Sequence, residues 1–133
     1  MWCNAPLAVN SDGAVWLGGI NRIWRSRDRG ETWAGMAGEL FDSDGQEEIV
    51  GIVFAPDRPN FVAVHTYLRI LVSQSDGERW VVAHGATLNT NNYPSEVDIA
   101  PGDEVMLTAA LGQSGIFTRT LEIEEEFLPV MKR

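Results

Sequence analysis

The sequence is poor in cysteine, in basic residues and in long apolar runs. Its 133 residues include one cysteine, which excludes an internal disulfide and a zinc site built on cysteines. No uninterrupted apolar run approaches the roughly 18 residues of a membrane-spanning helix, so we expect no membrane insertion. Ten basic residues stand against 19 acidic ones, a net charge of −9, and this charge argues against a nucleic-acid partner.

The chain contains an internal repeat. Trp33 and Trp80 lie 47 positions apart, and each ends a stretch that contains glycine. A short apolar run precedes each stretch, and a third such run begins at Ile116, 46 positions after Ile70 at the start of the second run. Three units of 45 to 47 residues therefore fill most of the chain. A fixed period of this length is typical of repeat architectures.

Each unit has the pattern of four short β-strands. Apolar and polar residues alternate with a period of two, and Gly, Pro, Asp and Asn interrupt the runs, which predicts strands joined by tight turns. Four strands at this repeat length are typical of a β-propeller blade. We therefore predict one all-β domain, 1–133, with three four-stranded antiparallel β-propeller blades that form a partial or oligomer-completed propeller. The blades are expected at about residues 5–38, 47–85 and 95–131, with the last strand at 127–131.

The stretch before the first repeated tryptophan has the composition of a hairpin turn. Asp28 can accept hydrogen bonds from backbone N–H groups a few residues further on, and Gly30 can adopt a positive φ at little steric cost. Trp33 begins the next strand and carries a large apolar surface, so we expect it to be buried between neighbouring sheets. The residues of this turn are therefore predicted to be structural.

The two tryptophan-ended stretches resemble the Asp-box (BNR) repeat. The first matches it at all of its signature positions, which are Ser26, Asp28, Gly30, Thr32 and Trp33. The second has serine in place of the aspartate and arginine in place of the threonine, and comprises Ser73, Ser75, Asp76, Gly77 and Trp80. We expect Asp76 to take over part of the turn bonding there. Proteins with this repeat include sialidases, family 74 glucanases, sortilin-type receptors and a photosystem II assembly factor, so the resemblance implies a propeller fold without selecting a function.

Candidate ligand-binding residues lie in the loops that share one face of such a propeller. These loops follow each fourth strand and join each second strand to the third. Their amides offer both donors and acceptors to a sugar or a peptide, whereas the alternative is a set of solvated loops without a ligand. The candidate residues are Asn21, Arg22, Asp42, Asp44, Tyr67, Arg69, Asn89, Asn91, Asn92 and Tyr93.

The sequence contains no recognisable catalytic motif. A P-loop, a dinucleotide fingerprint and a nucleophile elbow are all missing, and we predict no catalytic residue, no cofactor and no metal site. We predict a non-catalytic Asp-box β-propeller module that acts as a binding scaffold for a protein or glycan partner. The alternative is a fragment or half-ring of a glycoside hydrolase, sialidase-like or glucanase-like, whose pair of carboxylates needs additional blades.

Three blades do not close a ring. Propellers have four or more blades, and closure is what protects the edges and end faces of the sheets. We therefore expect a homo-oligomer, in which two copies complete a ring, or membership of a longer chain.

Overall fold

The computed structural model describes residues 6–36, 38–41, 45–85, 94–101, 105–112 and 115–121, and they form three antiparallel sheets. Sheet 1 consists of β1 (Leu7–Val9), β2 (Val15–Gly18), β3 (Ile23–Ser26) and β4 (Ala34–Met36). Sheet 2 consists of β5 (Gly51–Ala55), β6 (Arg58–His65), β7 (Arg69–Ser73) and β8 (Val81–Gly85). Sheet 3 consists of β9 (Pro94–Ala100), β10 (Val105–Leu111) and β11 (Ile116–Leu121). In each sheet, strands that are consecutive in the chain are neighbours.

The predicted all-β class with three antiparallel sheets is confirmed. The predicted strand at 127–131 lies outside the described residues. The one helical element in the described ranges is a single 3₁₀ turn, Gly38–Leu40, and no helix there could cross a membrane. Strand β6 begins at Arg58, before the apolar residues that mark it in the sequence, because a two-residue turn joins it to β5 and a register shift follows.

The first two sheets have equivalent cross-strand rows. The central residue of each row lies on the second strand, and its partners lie on the first and third strands. The equivalent rows are Leu7, Leu17 and Trp24 in sheet 1, and Ile52, Val64 and Leu71 in sheet 2. Because alternate residues of a strand point to opposite faces, each row marks one face of its sheet, and the two marked faces are equivalent.

A hydrophobic core lies between sheets 1 and 2. Trp16 and Ile23 of sheet 1 are fully buried and pack with Val64 and Leu71 of sheet 2. Ile49, in the segment that crosses from one sheet to the other, completes this core. It lies so close to the backbone of β2 that a Cβ at position 18 would be 2.5 Å from its Cγ2 atom, so only glycine fits at that position of the strand.

A second core joins sheets 2 and 3. It contains residues of the opposite face of sheet 2, such as Ala63 and Val72, and residues of sheet 3, such as Leu107 and Ala109. Sheet 2 is therefore covered on both faces, which explains why its central strands have long runs of buried residues.

The two end sheets have different outer faces. The outer face of sheet 1 is the one opposite Trp16, and it is apolar: it contains Leu7, Val9, Val15, Leu17 and Trp24. The outer face of sheet 3 is mostly polar: its rows contain Glu96, Asp98, Thr108, Thr118 and Thr120 together with Ala100, Met106, Ala110 and Ile116.

Candidate binding site

The segment that crosses from sheet 1 to sheet 2 is fastened by Asn21, in the turn between β2 and β3. The Asn21 side chain donates from Nδ2 to the carbonyl of Gly45 at 2.6 Å and accepts at Oδ1 from the backbone N–H of Glu47 at 2.9 Å. The backbone N–H of Asn21 donates to the carbonyl of Glu47 at 2.8 Å. Asn21 has a φ of 57°, which asparagine tolerates better than most residues. Asn21 was predicted to be a ligand-binding residue, but both the N–H and the C=O group of its side chain form hydrogen bonds within the fold.

Arg69 holds the same segment from the side of sheet 2. Its guanidinium forms a bidentate ion pair with Glu47, with Nε–Oε2 and Nη2–Oε1 distances of 2.9 and 3.0 Å, and it lies 5.5 Å from the centre of the Phe41 ring. The hydroxyl of Thr66 also donates to Glu47, at 2.7 Å. Bidentate arginine–carboxylate pairs are among the stronger polar contacts in proteins, so the guanidinium of Arg69 is engaged within the fold.

Arg22 has a different environment, although it is the next residue after Asn21. Its side chain is exposed, and its Cζ atom lies 5.7 Å from the centre of the Trp24 ring. Among the described residues, no carboxylate forms an ion pair with Arg22. The structure thus presents an accessible cation stacked on an indole.

An open groove of about 480 Å³ runs beside this stacked pair. Its lining consists of Ile20, Asn21, Arg22, Ile23, Trp24, Gly35, Met36, Gly38 and Phe41. The lining combines apolar side chains, such as Met36 and Phe41, with the exposed cation of Arg22, a combination found in sites that bind a polar group next to an apolar one.

Of the other candidate ligand-binding residues, Tyr67 and Arg69 do not line this groove. Tyr67 is 53% exposed in the turn between β6 and β7, next to the Thr66 that contacts Glu47. Six further candidates lie outside the described residues: Asp42, Asp44, Asn89, Asn91, Asn92 and Tyr93. Within the described residues, no group of three His, Cys, Asp or Glu side chains is arranged to hold a metal ion.

The two tryptophan loops, residues 26–33 and 73–80, have the same internal geometry. In the first loop, Ser26 Oγ accepts from the Gly30 N–H at 2.7 Å, and Asp28 Oδ1 accepts from the Thr32 N–H at 2.8 Å. The Trp33 indole closes the loop by donating to the carbonyl of Gly30 at 3.0 Å. The predicted positive φ of Gly30 is confirmed at 91°.

The second loop reproduces these bonds with a different side chain in the aspartate position. Ser75 Oγ accepts from the Arg79 N–H at 2.8 Å, and the Trp80 indole donates to the carbonyl of Gly77 at 2.8 Å. The prediction that Asp76 takes over the turn bonding is wrong, because serine already supplies the acceptor. The carboxylate of Asp76 is instead bonded across the sheet interface to Arg25 and Arg27 of sheet 1.

The two tryptophans differ in their surroundings. The Trp80 ring packs edge-on against Trp16 of sheet 1, with 6.2 Å between ring centres. Trp33 is 39% exposed, so the prediction that it is buried between sheets is wrong for the described chain. The physical reason is positional: the second loop packs against the sheet that precedes its own, and no described sheet precedes sheet 1.

Two ionisable groups have shifted pKa values. Hydrogen bonds from the Thr32 hydroxyl and backbone N–H, together with the Ser26 hydroxyl, lower the pKa of Asp28 to about 2 from the ordinary 3.8. Burial lowers the pKa of His65, whose ring lies against Gly51 between the first two strands of sheet 2. The surroundings of His65 come from sheets 2 and 3 together, since Pro94 and Glu96 of sheet 3 also lie beside it.

The fold defines an all-β protein built from antiparallel meander sheets packed face to face, as in part of a β-propeller. No protein-family model matches the sequence, and no curated protein matches it either. Among solved structures, YCF48 from Cyanidioschyzon merolae is similar, with a TM-score of 0.60, 17% identity and coverage of 90% of this chain. The chain spans 39% of the length of YCF48. The likeness supports a β-propeller relation and concerns the fold alone, and the Asp-box assignment stays a prediction.

Proposed function

We propose that the chain is a non-catalytic β-propeller module that binds an acidic segment of a protein partner. The observation that carries this proposal is the groove in which the exposed guanidinium of Arg22 stacks on Trp24. Its neighbours Asn21 and Arg69 hold the loops of two sheets in place around the groove, whereas Arg22 has no carboxylate partner among the described residues.

The chemistry of the groove favours a carboxylate next to an apolar group. A guanidinium binds a carboxylate through two parallel hydrogen bonds, and the indole beneath it keeps the guanidinium plane oriented. Met36 and Phe41 contribute apolar side chains to the lining of the groove. The chain as a whole carries a net charge of −9, so general attraction for acidic molecules is absent and binding depends on this local cation.

A binding role also agrees with the positions of the carboxylates. A glycosidase needs two carboxyl groups roughly 5 to 9.5 Å apart that can reach the substrate. Glu47 is committed to Arg69 and Thr66, Asp76 to two arginines, and Asp28 to its own loop. These contacts support structural roles for the three acids.

The proposal is tested with synthetic peptides. A fluorescein-labelled decapeptide of alternating Glu and Phe is titrated with the protein and followed by fluorescence anisotropy, with a Lys–Phe peptide for comparison. We expect binding of the acidic peptide that weakens as salt is added and falls at least tenfold in Arg22→Glu. Arg79→Glu, a charge reversal at an exposed arginine of the second tryptophan loop, serves as the matched control and should leave binding within twofold. Equal losses in the two variants, or binding of neutral oligosaccharides in place of the peptide, would contradict the proposal.

A separate assay decides between this proposal and the glycoside hydrolase alternative. The protein is incubated with a panel of chromogenic glycosides, and we expect no turnover above a buffer control. Turnover that disappears in Asp42→Asn, Asp44→Asn or Glu47→Gln, in variants that remain folded by circular dichroism, would replace the binding role with a catalytic one.

A further inference from the structure

A buried histidine lies where sheet 3 packs on sheet 2. His65 is the last residue of β6 and is 6% exposed. It follows Phe61 and Ala63, which belong to the core between these two sheets, at a spacing of two, so its side chain lies on the same face of the strand. Strand β9 of sheet 3 lies against both β5 and β6. The imidazole of His65 therefore occupies the junction of β5, β6 and β9, which we call the seam.

The seam accommodates the ring of His65 but does not satisfy its polar atoms. The ring occupies the space above Gly51 of β5 so closely that any Cβ at position 51 would collide with it. Within the described residues, Nδ1 of His65 has no hydrogen-bond partner. A neutral imidazole has one donor nitrogen and one acceptor nitrogen, whereas the protonated ring has two donors and a positive charge. Burial without matching acceptors therefore penalises the protonated form more than the neutral form.

Few charged groups face the ring from the elements around it. The positions of β5 that lie along the seam, 50–53, are occupied by Val, Gly, Ile and Val. From β9, the exposed carboxylate of Glu96 and the backbone of Pro94 act on the ring, and from β6 the backbone of Thr66 does so. These three groups favour the protonated ring, but burial is the largest effect and lowers the pKa of His65. An exposed carboxylate is screened by water, so it does not compensate for the burial.

A pocket of about 360 Å³ lies along the seam. Strands β5 and β9 are each at the edge of their sheets among the described residues, so this pocket lies at the margin of the core between sheets 2 and 3. Water and protons can therefore approach the seam without the loss of any strand pairing. The lining of the pocket consists of Val50, Gly51, Ile52, Val53, His65, Glu96 and Val97.

We propose that His65 is an acid-sensitive latch between sheets 2 and 3. The neutral ring packs in the seam and keeps the two sheets together. When the ring takes up a proton, the buried cation favours a locally open form in which β9 separates from β5 and water reaches the imidazolium. Local opening of one packing interface costs less than unfolding of the whole domain, so the core between sheets 1 and 2 stays packed.

The direction of the pH effect follows from proton linkage. Because burial holds the pKa of His65 below the ordinary 6.5 in the closed seam, the open form binds the proton more tightly than the closed form does. The closed seam is therefore fully stable above about pH 6.5 and loses stability as the pH falls through the lowered value. Histidine is the side chain whose ordinary pKa places such a response at mildly acidic pH.

The opening is measured by the labelling of a thiol in the core between sheets 2 and 3. Ala109→Cys places this thiol at a site that is 1% exposed, in a chain that also carries Cys3→Ser. Ala14→Cys is the matched control, since Ala14 is 6% exposed in the core between sheets 1 and 2. Each labelling rate is divided by the rate of the same variant unfolded in urea at the same pH. From pH 7.5 to 5.5 we expect this ratio to rise at least tenfold for Ala109→Cys and less than twofold for Ala14→Cys.

The two histidines of the chain allow the response to be assigned to one ring. His65→Gln should abolish the rise at Ala109→Cys. His84→Gln should retain it, because His84 contacts Phe117 of β11, at the edge of sheet 3 away from β9. Circular dichroism confirms that each variant is folded.

A measurement on the unmodified protein does not depend on the folding of any variant. NMR titration of the ring protons of His65 should give a pKa below 6.5. A value of 6.5 or higher would overturn the proposal, as would equal acid-induced labelling at the two cysteines or a response that persists in His65→Gln. The peptide titration of the groove is independent of these outcomes at pH 7.5, where the seam is closed.

Discussion

The difference between the two tryptophan loops leads to a quantitative prediction about stability. Replacing a fully buried tryptophan with alanine costs about 3–5 kcal/mol. Trp80 is partly buried, and its replacement also removes an edge-on contact with Trp16. Such a contact is worth about 0.5–1.5 kcal/mol. We expect Trp80→Ala to lower the free energy of unfolding by about 3 kcal/mol.

Trp33 provides the matched control, because it closes its loop with the same hydrogen bond. Trp33 is 39% exposed, and a Cβ placed on Gly30 would be 3.7 Å from its ring, so the ring contacts its own loop. We expect Trp33→Ala to cost about 1 kcal/mol, since no neighbouring described sheet loses packing.

The measurement is urea unfolding followed by circular dichroism, at a protein concentration where sedimentation shows the monomer. Similar slopes for the two variants and the unmodified protein would indicate that the midpoint shift reports stability. Equal losses of stability in the two variants would refute the reasoning, because they would mean that packing across the interface of sheets 1 and 2 contributes nothing beyond the loop itself.

Two further predictions concern the backbone and the first loop. Gly18→Ala should destabilise the protein by about 1–3 kcal/mol, because the new Cβ would lie 2.5 Å from Ile49 Cγ2. Gly19→Ala is the control: its Cβ would meet no atom within 4 Å, and it should change stability by less than about 0.5 kcal/mol. Similar unfolding midpoints for the two variants would contradict this prediction. Because the folded pKa of Asp28 is about 2 and its ordinary value is 3.8, its stabilisation of the loop is complete above about pH 4 and is lost as the pH falls through 2. NMR titration of the Asp28 carboxyl should show this low midpoint and a return towards the ordinary value in Thr32→Val, and a midpoint near 4 in the unmodified protein would refute it.

The repeat spacing was enough to predict the sheets, because strand alternation and the two tryptophan-ended turns are local properties of the chain. The internal bonds of Ser26, Asp28 and Gly30 follow from the same local chemistry. Exact strand ends are less predictable: β6 begins at Arg58, before its apolar residues, since the register shift at Ala55 depends on pairing with another strand.

Contacts between sheets were not predictable from the sequence. Asp76 and Arg27 are 49 positions apart, and Glu47 and Arg69 are 22 positions apart, so no local pattern links them. The same limit explains the wrong prediction for Trp33. Its sequence context predicts burial, whereas its actual exposure depends on whether another sheet lies in front of it.

Glu47 is bonded both to Asn21 and to Arg69, so the groove depends on residues of two sheets. Arg22 belongs to sheet 1, but the turn that presents it is tied through Asn21 to a crossing segment whose other anchor, Arg69, belongs to sheet 2. Transfer of the groove to another scaffold therefore requires both sheets together. The strands of sheet 1 alone would include Arg22 and Trp24 but not the contacts of Glu47 and Arg69 that hold the neighbouring turn in place.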